Sequence, residues 1–454
     1  SVGNSLTAGF SDNALFIDGQ TASYPNMLAS NFALAGGGDF NIPFMADNLG
    51  GATLGGTPIL GNRLILSFAS GSPAPVPVSG TGTTEISNLL SADFNNMGVP
   101  GAKSYHLLAE GYGNVQGLVT DPATANPYFV RFASNPNTTI IADAVAQNPT
   151  FFSLWIGNND ILGYATAGGA GLDQTGNINP ETYGGSDISD PTVVAGAIDA
   201  ALALMTQNDA DGVIANLPDV TTIPYFTTVP HNPVPLDEGT AALLNGAYAA
   251  YNGGLAALQA GGAITAEELA RRTISFSAGS TNAVVLLDED LTNLTSFNPA
   301  LINMRQATAD DLVVLPARSF IGSLADPDNP TSINGVAIPL ADRWVLTPEE
   351  QLSVNTALTA YNANISALAA QYDIAFVDAN AFLKTIAENG VQLLDGSTVT
   401  ATYATGGGFS LDGVHPSPRG YALLANLFVE SINTKYGSNL PGVNPLDFTG
   451  LYIN

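Results

Sequence analysis

The chain of 454 residues carries 39 acidic against 11 basic side chains, a formal charge of −28, which disfavours contact with nucleic acid phosphates or anionic lipid and leaves a neutral or cationic partner. Apolar residues make up 45%, yet no stretch of about 18 residues is free of polar or glycine interruptions, so no membrane-spanning helix is expected. The absence of cysteine removes disulfides, thiolate nucleophiles and cysteine-ligated metals together.

In chain order, the first stretches are loop-rich. Segments 36–61 and 71–84, the latter with Pro73, Pro75 and Pro77, read as ordered surface excursions or semi-extended chain rather than core. A weak strand is predicted at 92–96, and firmer ones at 151–156, 212–217 and 374–377, because these runs are uncharged, β-branched or aromatic, and stop at turn residues. Between or after them fall helical patterns at 191–207, 347–372 and 417–436; the last opens on Pro416-Ser417-Pro418 and closes on Lys435 before Gly437. Strands separated by helices predict a parallel sheet covered on both faces. Segment 168–190 is another loop. The span 219–345 reads as a large insertion, with a helix at 241–260 and strand-like runs at 273–276 and 283–287.

Histidine occurs three times, at His106, His231 and His415. His231, in Val229-Pro230-His231-Asn232-Pro233, reads as a turn residue of the surface, and His106, near a helix start, as a packing or capping residue. His415 lies in Asp412-Gly413-Val414-His415-Pro416, where a carboxylate three residues earlier can reach the imidazole across a tight turn and hold one tautomer. A D-x-x-H alone also arises from helix capping and needs a nucleophile. With no cysteine and no G-x-S-x-G elbow, the candidate is Ser5 in Gly3-Asn4-Ser5-Leu6-Thr7-Ala8-Gly9, a serine where a strand should end and a helix begin. Two further clusters come after predicted strands: 96–102, with Gly101 offering an unhindered backbone N–H, and Gly157-Asn158-Asn159-Asp160, with Asn159 offering side-chain N–H donors.

This ordered set resembles the SGNH subgroup of the GDSL esterase and lipase family, through Gly-Asn-Ser-Leu at 3–6, Gly-Val-Pro-Gly at 98–101, Gly-Asn-Asn-Asp at 157–160 and Asp-Gly-Val-His-Pro at 412–416. The resemblance implies Ser5 as nucleophile, His415 as general base and Asp412 as its orienting partner, with the N–H groups of Ser5 and Gly101 and the Asn159 side chain as oxyanion donors. It departs from the family at Asn4, where an aspartate is usual; that position is outside the triad, so local hydrogen bonding is what the change touches. The implied fold is a single α/β domain over 1–454, a flavodoxin-like three-layer α/β/α sandwich on a five-stranded parallel sheet, enlarged by a loop-rich insertion at 11–90 and by 219–345, a possible lid or substrate subdomain. Only Ser1–Asn4 precede the serine, so part of the first strand is expected to lie outside this chain.

The function implied by the resemblance is ester hydrolysis through an acyl-enzyme, without a cofactor or a metal. A lipase or carboxylesterase is the leading expectation; a carbohydrate O-acetyl esterase and a non-catalytic binding protein on the same scaffold are the alternatives. The helix at 241–260 could line an acyl pocket or simply pack. Asp288-Glu289-Asp290 and Asp326-Pro327-Asp328 could offer oxygen ligands to Ca²⁺, but neither completes a loop motif, and both read as solvated acidic turns. Lys103 comes after Gly101-Ala102 without the order of a phosphate loop. Low charge density and near absence of lysine, with a likeness to the long exported members of Bacteroidetes-type bacteria, imply a secreted, periplasmic or outer-membrane-associated protein.

Overall fold

The structure, a computed structural model, describes residues 1–454 except Ser70, Pro330 and Asn454. Five parallel strands make the central sheet: β1 (Val2–Gly3), β2 (Met97–Gly98), β3 (Phe151–Trp155), β4 (Asp211–Ala215) and β5 (Ala375–Val377). Their spatial order is β2-β1-β3-β4-β5. The short β1 lies inside the sheet, one strand from its edge: Val2 pairs with Met97 on one side and Leu154 on the other. Because the order reverses beside β1, the chain leaves β1 and β3 towards opposite sides, and a crevice opens beyond their carboxyl ends.

Seven helices position the sheet and the site, α1 (Ser5–Ala8), α2 (Tyr24–Leu34), α3 (Ile140–Ala146), α4 (Asn159–Thr166), α5 (Pro191–Met205), α7 (Pro348–Gln371) and α8 (Pro418–Tyr436), while α6 (Glu238–Ala260) lies within 219–345. α8 packs on β4, β5 and α2; α7 packs on β4, β5, α4 and α5, and α5 packs on α3. The arrangement is compatible with three α/β/α layers. Caps set the helix starts. The Asp190 carboxylate accepts from Thr192 and Val193 N–H at α5, Thr347 and Glu350 form a reciprocal box at α7, and Ser417 accepts from Gly420 N–H at α8. Between sheet and helices the core closes on an aromatic cluster, in which Phe428 of α8 stacks on Tyr24 of α2 at 4.6 Å and lies 5.7 Å from Trp155 of β3.

The weak strand expected at 92–96 forms just beyond that run, at Met97–Gly98. Its upstream donors are already committed: Asn95 and Asn96 N–H both give to the Asn41 carbonyl, so the sheet ladder starts only where Met97 N–H reaches Ser1. Segments expected to stay outside the core also pair. Strands Ala52–Leu54 and Thr57–Leu60 form a hairpin, Leu64–Ser67 pairs with Ala74–Pro77, and Met45, Ala52 and Ile86 join Ala8, Leu15 and Tyr128 in a second apolar cluster. The run 273–276 is extended but joins no strand. Asn245 and Asn252, two turns apart on one face of α6, instead take the Phe276 and Ile274 N–H groups and donate back to their carbonyls.

Within 219–345 the helix α6 buries Leu244, Tyr248, Tyr251 and Leu255, and its two tyrosines donate to the Val336 and Met304 carbonyls. The segment is held by buried charge as well. Asp288, expected to be solvated, is fully buried; Arg305 bonds it and makes a two-pronged pair with Asp311 at 2.7 Å on both arms. Arg305→Leu would leave the Asp311 carboxylate buried without its cation, and should lower stability by about 3–5 kcal/mol in urea unfolding, against less than about 1 kcal/mol for an exposed pair such as Lys384–Glu388.

Candidate functional site

The four blocks singled out in the sequence lie after strand ends or before α8, and three of their side chains meet. Ser5 lies on α1, one residue beyond the cap Asn4, whose Oδ1 accepts from Leu6 N–H at 3.0 Å. The Asn4 amide group donates to Asn158 Oδ1 at 3.0 Å, tying the turn after β1 to the turn after β3. An ionised aspartate could cap α1 but could not make that second bond. Asparagine here therefore has a use.

Ser5 Oγ lies 2.9 Å from His415 Nε2, and His415 Nδ1 lies 2.9 Å from Asp412 Oδ2. Asp412 is held in place by the N–H groups of Val414 and His415 on Oδ1 and of Asn13 on Oδ2. Burial alone would raise its pKa; the His415 charge and these hydrogen bonds outweigh that and pull it down to about 2. The carboxylate stays ionised at neutral pH. With Nδ1 carrying a proton toward Asp412, Nε2 presents its lone pair to the Ser5 hydroxyl, the tautomer that a proton acceptor requires. The Phe10 ring packs 4.7 Å from the imidazole and limits its swing.

Gly101 and Asn159 lie on the β2 and β3 turns. Gly101 has φ +82°, a left-handed conformation that a side chain would strain, and no group among the described residues accepts its N–H. Asn126 fixes the neighbouring peptide by donating to the Pro100 carbonyl at 2.8 Å. Asn159 Nδ2 donates one hydrogen to the Ala102 carbonyl at 2.8 Å, which joins the two turns and leaves the second hydrogen. Asp160, fully buried, adds a further tie by accepting from both the backbone N–H and the hydroxyl of Ser104. A cleft partly open to solvent is lined by Ser5, Asn159 and His415 together with Leu6, Leu162, Ile223, Phe382, Ile386, Phe409 and Leu424. No residue of α6 lines it.

No family model, curated protein or solved structure matches this chain. The chemistry open to the site therefore rests on its own atoms: a serine hydroxyl, an imidazole placed to take its proton, a carboxylate to hold the imidazolium, and an uncommitted Asn159 side-chain hydrogen on a residue of the same cleft.

The other histidines lie elsewhere. His106 both caps and packs: its Nδ1 accepts from Lys103 N–H at 3.0 Å, its ring stacks on Tyr112 at 4.4 Å, and burial, then the Lys103 charge, lowers it to about 4. His231 is half-buried and contributes its carbonyl to Val284 N–H. Lys103 is buried with its ammonium on the Asp187 carbonyl at 2.9 Å, a tether rather than an anion ligand. Asp326 accepts from Asp328 N–H within its own turn.

Sequence reasoning missed the Ser11-Asp12-Asn13 turn. Asp12 and Asn13 both adopt positive φ, and the turn meets the last block three times: Asn13 N–H on Asp412, Asp12 N–H on Ser410 Oγ, and Asp12 Oδ1 taking Leu411 N–H. An Asp-Asn pair is a turn signal, but its partner lies 399 residues away, beyond any local pattern. Burial, reinforced by the Asp412 charge, pushes Asp12 up to about 6 although its bond from Leu411 opposes this. The native state thus holds that proton between about pH 4 and pH 6, where the unfolded chain loses it, so stability falls as pH rises through this window and the penalty persists above it. Asp12→Asn should keep the Leu411 bond and remove the penalty: relative to the parent it should gain up to about 3 kcal/mol between pH 4 and pH 7 in urea unfolding.

Proposed function

We propose that the protein is a serine-dependent carboxylic ester hydrolase of the SGNH kind that works through an acyl-enzyme. The single observation carrying this reading is the unbroken Ser5–His415–Asp412 chain, with 2.9 Å at each link, opening onto a mostly apolar cleft. His415 takes the Ser5 proton as Oγ attacks the ester carbonyl, and the oxyanion that forms is met by the N–H groups of Ser5 and Gly101 and by the free Asn159 hydrogen. The tetrahedral intermediate collapses, the alcohol leaves with the proton from His415, and water repeats the cycle on the acyl-serine. The strand order supports the flavodoxin-like form of the sandwich, whose sites lie at the reversal of order. Low charge density supports an exported protein.

The cleft bears on the acyl group. Its lining of leucine, isoleucine and phenylalanine fits a hydrocarbon chain better than the polar surround of an acetylated sugar. Each methylene buried is worth about 0.8 kcal/mol, so kcat/KM on nitrophenyl esters should climb about fourfold per added methylene until the cleft is filled. A steep fall beyond acetate would instead indicate a deacetylase.

Two substitutions test the roles. Ser5→Ala should abolish turnover on the preferred ester, and Asn159→Ala should lower kcat about 100- to 1,000-fold, or about 2.7–4 kcal/mol, with a smaller change in KM. Full kcat in Asn159→Ala, with Ser5→Ala inactive, would remove Asn159 from the oxyanion site.

A further inference from the structure

Away from the cleft, three carboxylates from separate parts of the chain converge. Glu289 lies in the 219–345 segment, Asp342 lies in its last turn, and Glu350 belongs to the first turn of α7; one carboxylate oxygen from each lies within 4.8 Å of the other two. Among the described residues none of the three has a cationic side-chain partner, and the nearby Arg271 is committed to Asp288 and Glu349. Such a cluster on a surface is ordinary. This one is partly interior: Glu350 is 4% exposed, its Oε2 takes Thr347 N–H, and among the described residues no N–H or hydroxyl donates to its buried Oε1. At the end of α4, Gly169 (φ +85°) packs so closely that a Cβ there would lie 2.0 Å from Oε1. The backbone is glycine where it must clear that carboxylate.

We propose that Glu289, Asp342 and Glu350 form a structural Ca²⁺ site that fastens the 219–345 segment to the start of α7. Calcium–oxygen bonds of about 2.3–2.6 Å allow two ligands of one ion to be up to about 5 Å apart, so the observed spacing is compatible with a single shared ion. Three hard oxygen donors and no nitrogen or sulfur ligand favour calcium over a transition metal, with water and backbone carbonyls completing its six to eight positions. Burial, then the neighbouring carboxylates, raise the pKa of both Glu350 and Asp342, although hydrogen bonds from Thr347 to Glu350 and between Glu350 and Asp342 oppose this; a bound dication would offset what remains of the penalty. The sequence triplet Asp288-Glu289-Asp290 does not act as a unit: Asp288 turns inward to Arg305 and Arg271, and Glu289 alone reaches the cluster. The site is independent of Ser5, since none of the three acids lines the cleft.

The test uses the whole chain after chelation and dialysis. Added CaCl₂ should raise the melting temperature saturably, by about 3 °C at a hundredfold excess over Kd. Tb³⁺ should show luminescence sensitised through Trp344, two residues from Asp342, and excess Ca²⁺ should quench it. Glu350→Gln should abolish both responses. Glu289→Gln, at an exposed position, removes one of the mutually repelling charges and so should not lower the metal-free melting temperature, while it weakens Ca²⁺ at least about tenfold, so the outcome does not hinge on folding of the buried variant. Ser5→Ala should bind as the parent does. No calcium-dependent shift in the parent, or the same shift in Glu289→Gln and Glu350→Gln, would overturn the proposal.

Discussion

The hydrogen bond between Ser5 and His415 joins residues 410 positions apart, and the rest of the site depends on the constraint that makes it possible. A parallel sheet delivers the chain to the same edge each time a strand ends, so turns distant in sequence gather there without long loops. β1 lies inside the sheet, paired on both sides, so its carboxyl end is fixed by two ladders although only two residues are in strand geometry. The Asn4–Asn158 bond, the Asn159–Ala102 bond and the Ser104–Asp160 pair then lock the turns after β1, β2 and β3 to each other. The last block is brought in separately, by the helix α8 below it and the Asp12–Asn13 turn beside it.

That second anchoring explains why so little of the imidazole's orientation is left to the imidazole. Asp412 takes three backbone N–H groups besides the His415 ring, Phe10 limits the ring from one side, and Tyr421 of α8 donates to the Phe10 carbonyl. Side chains held this way keep the Ser5–His415–Asp412 distances short, the geometry that the proposed chemistry would need in advance. The 219–345 segment contributes apolar wall through Val220 and Ile223 and otherwise obeys its own logic of buried charge and tyrosine-to-carbonyl bonds.

The parts of this organisation readable from sequence are those written in local residue chemistry. Phe151–Trp155 is an uncharged aromatic run, α8 carries its own proline, serine and glycine signals, and the D-x-x-H spacing sets a carboxylate beside an imidazole in one turn. The features that escaped are written in partners far away. The donors of Asn95 and Asn96 are claimed by Asn41, which shifts β2 toward Met97, and the extended run 273–276 finds asparagine side chains of α6 in place of a strand. Asp12 reads as an ordinary turn acid until the last block folds over it. The burial of Asp288 was equally hidden, because an acidic triplet looks solvated unless the two arginines that cover it are known.

The central claim is that Ser5 is made nucleophilic by His415 in the folded chain. Treatment of the native protein with a fluorophosphonate, then peptide mass spectrometry, tests it most directly, since the reagent attaches only to an activated serine. The expected result is one adduct, on Ser5, lost in His415→Ala while circular dichroism shows that variant folded. An unlabelled parent, an adduct on another serine, or undiminished labelling of Ser5 in His415→Ala would contradict it.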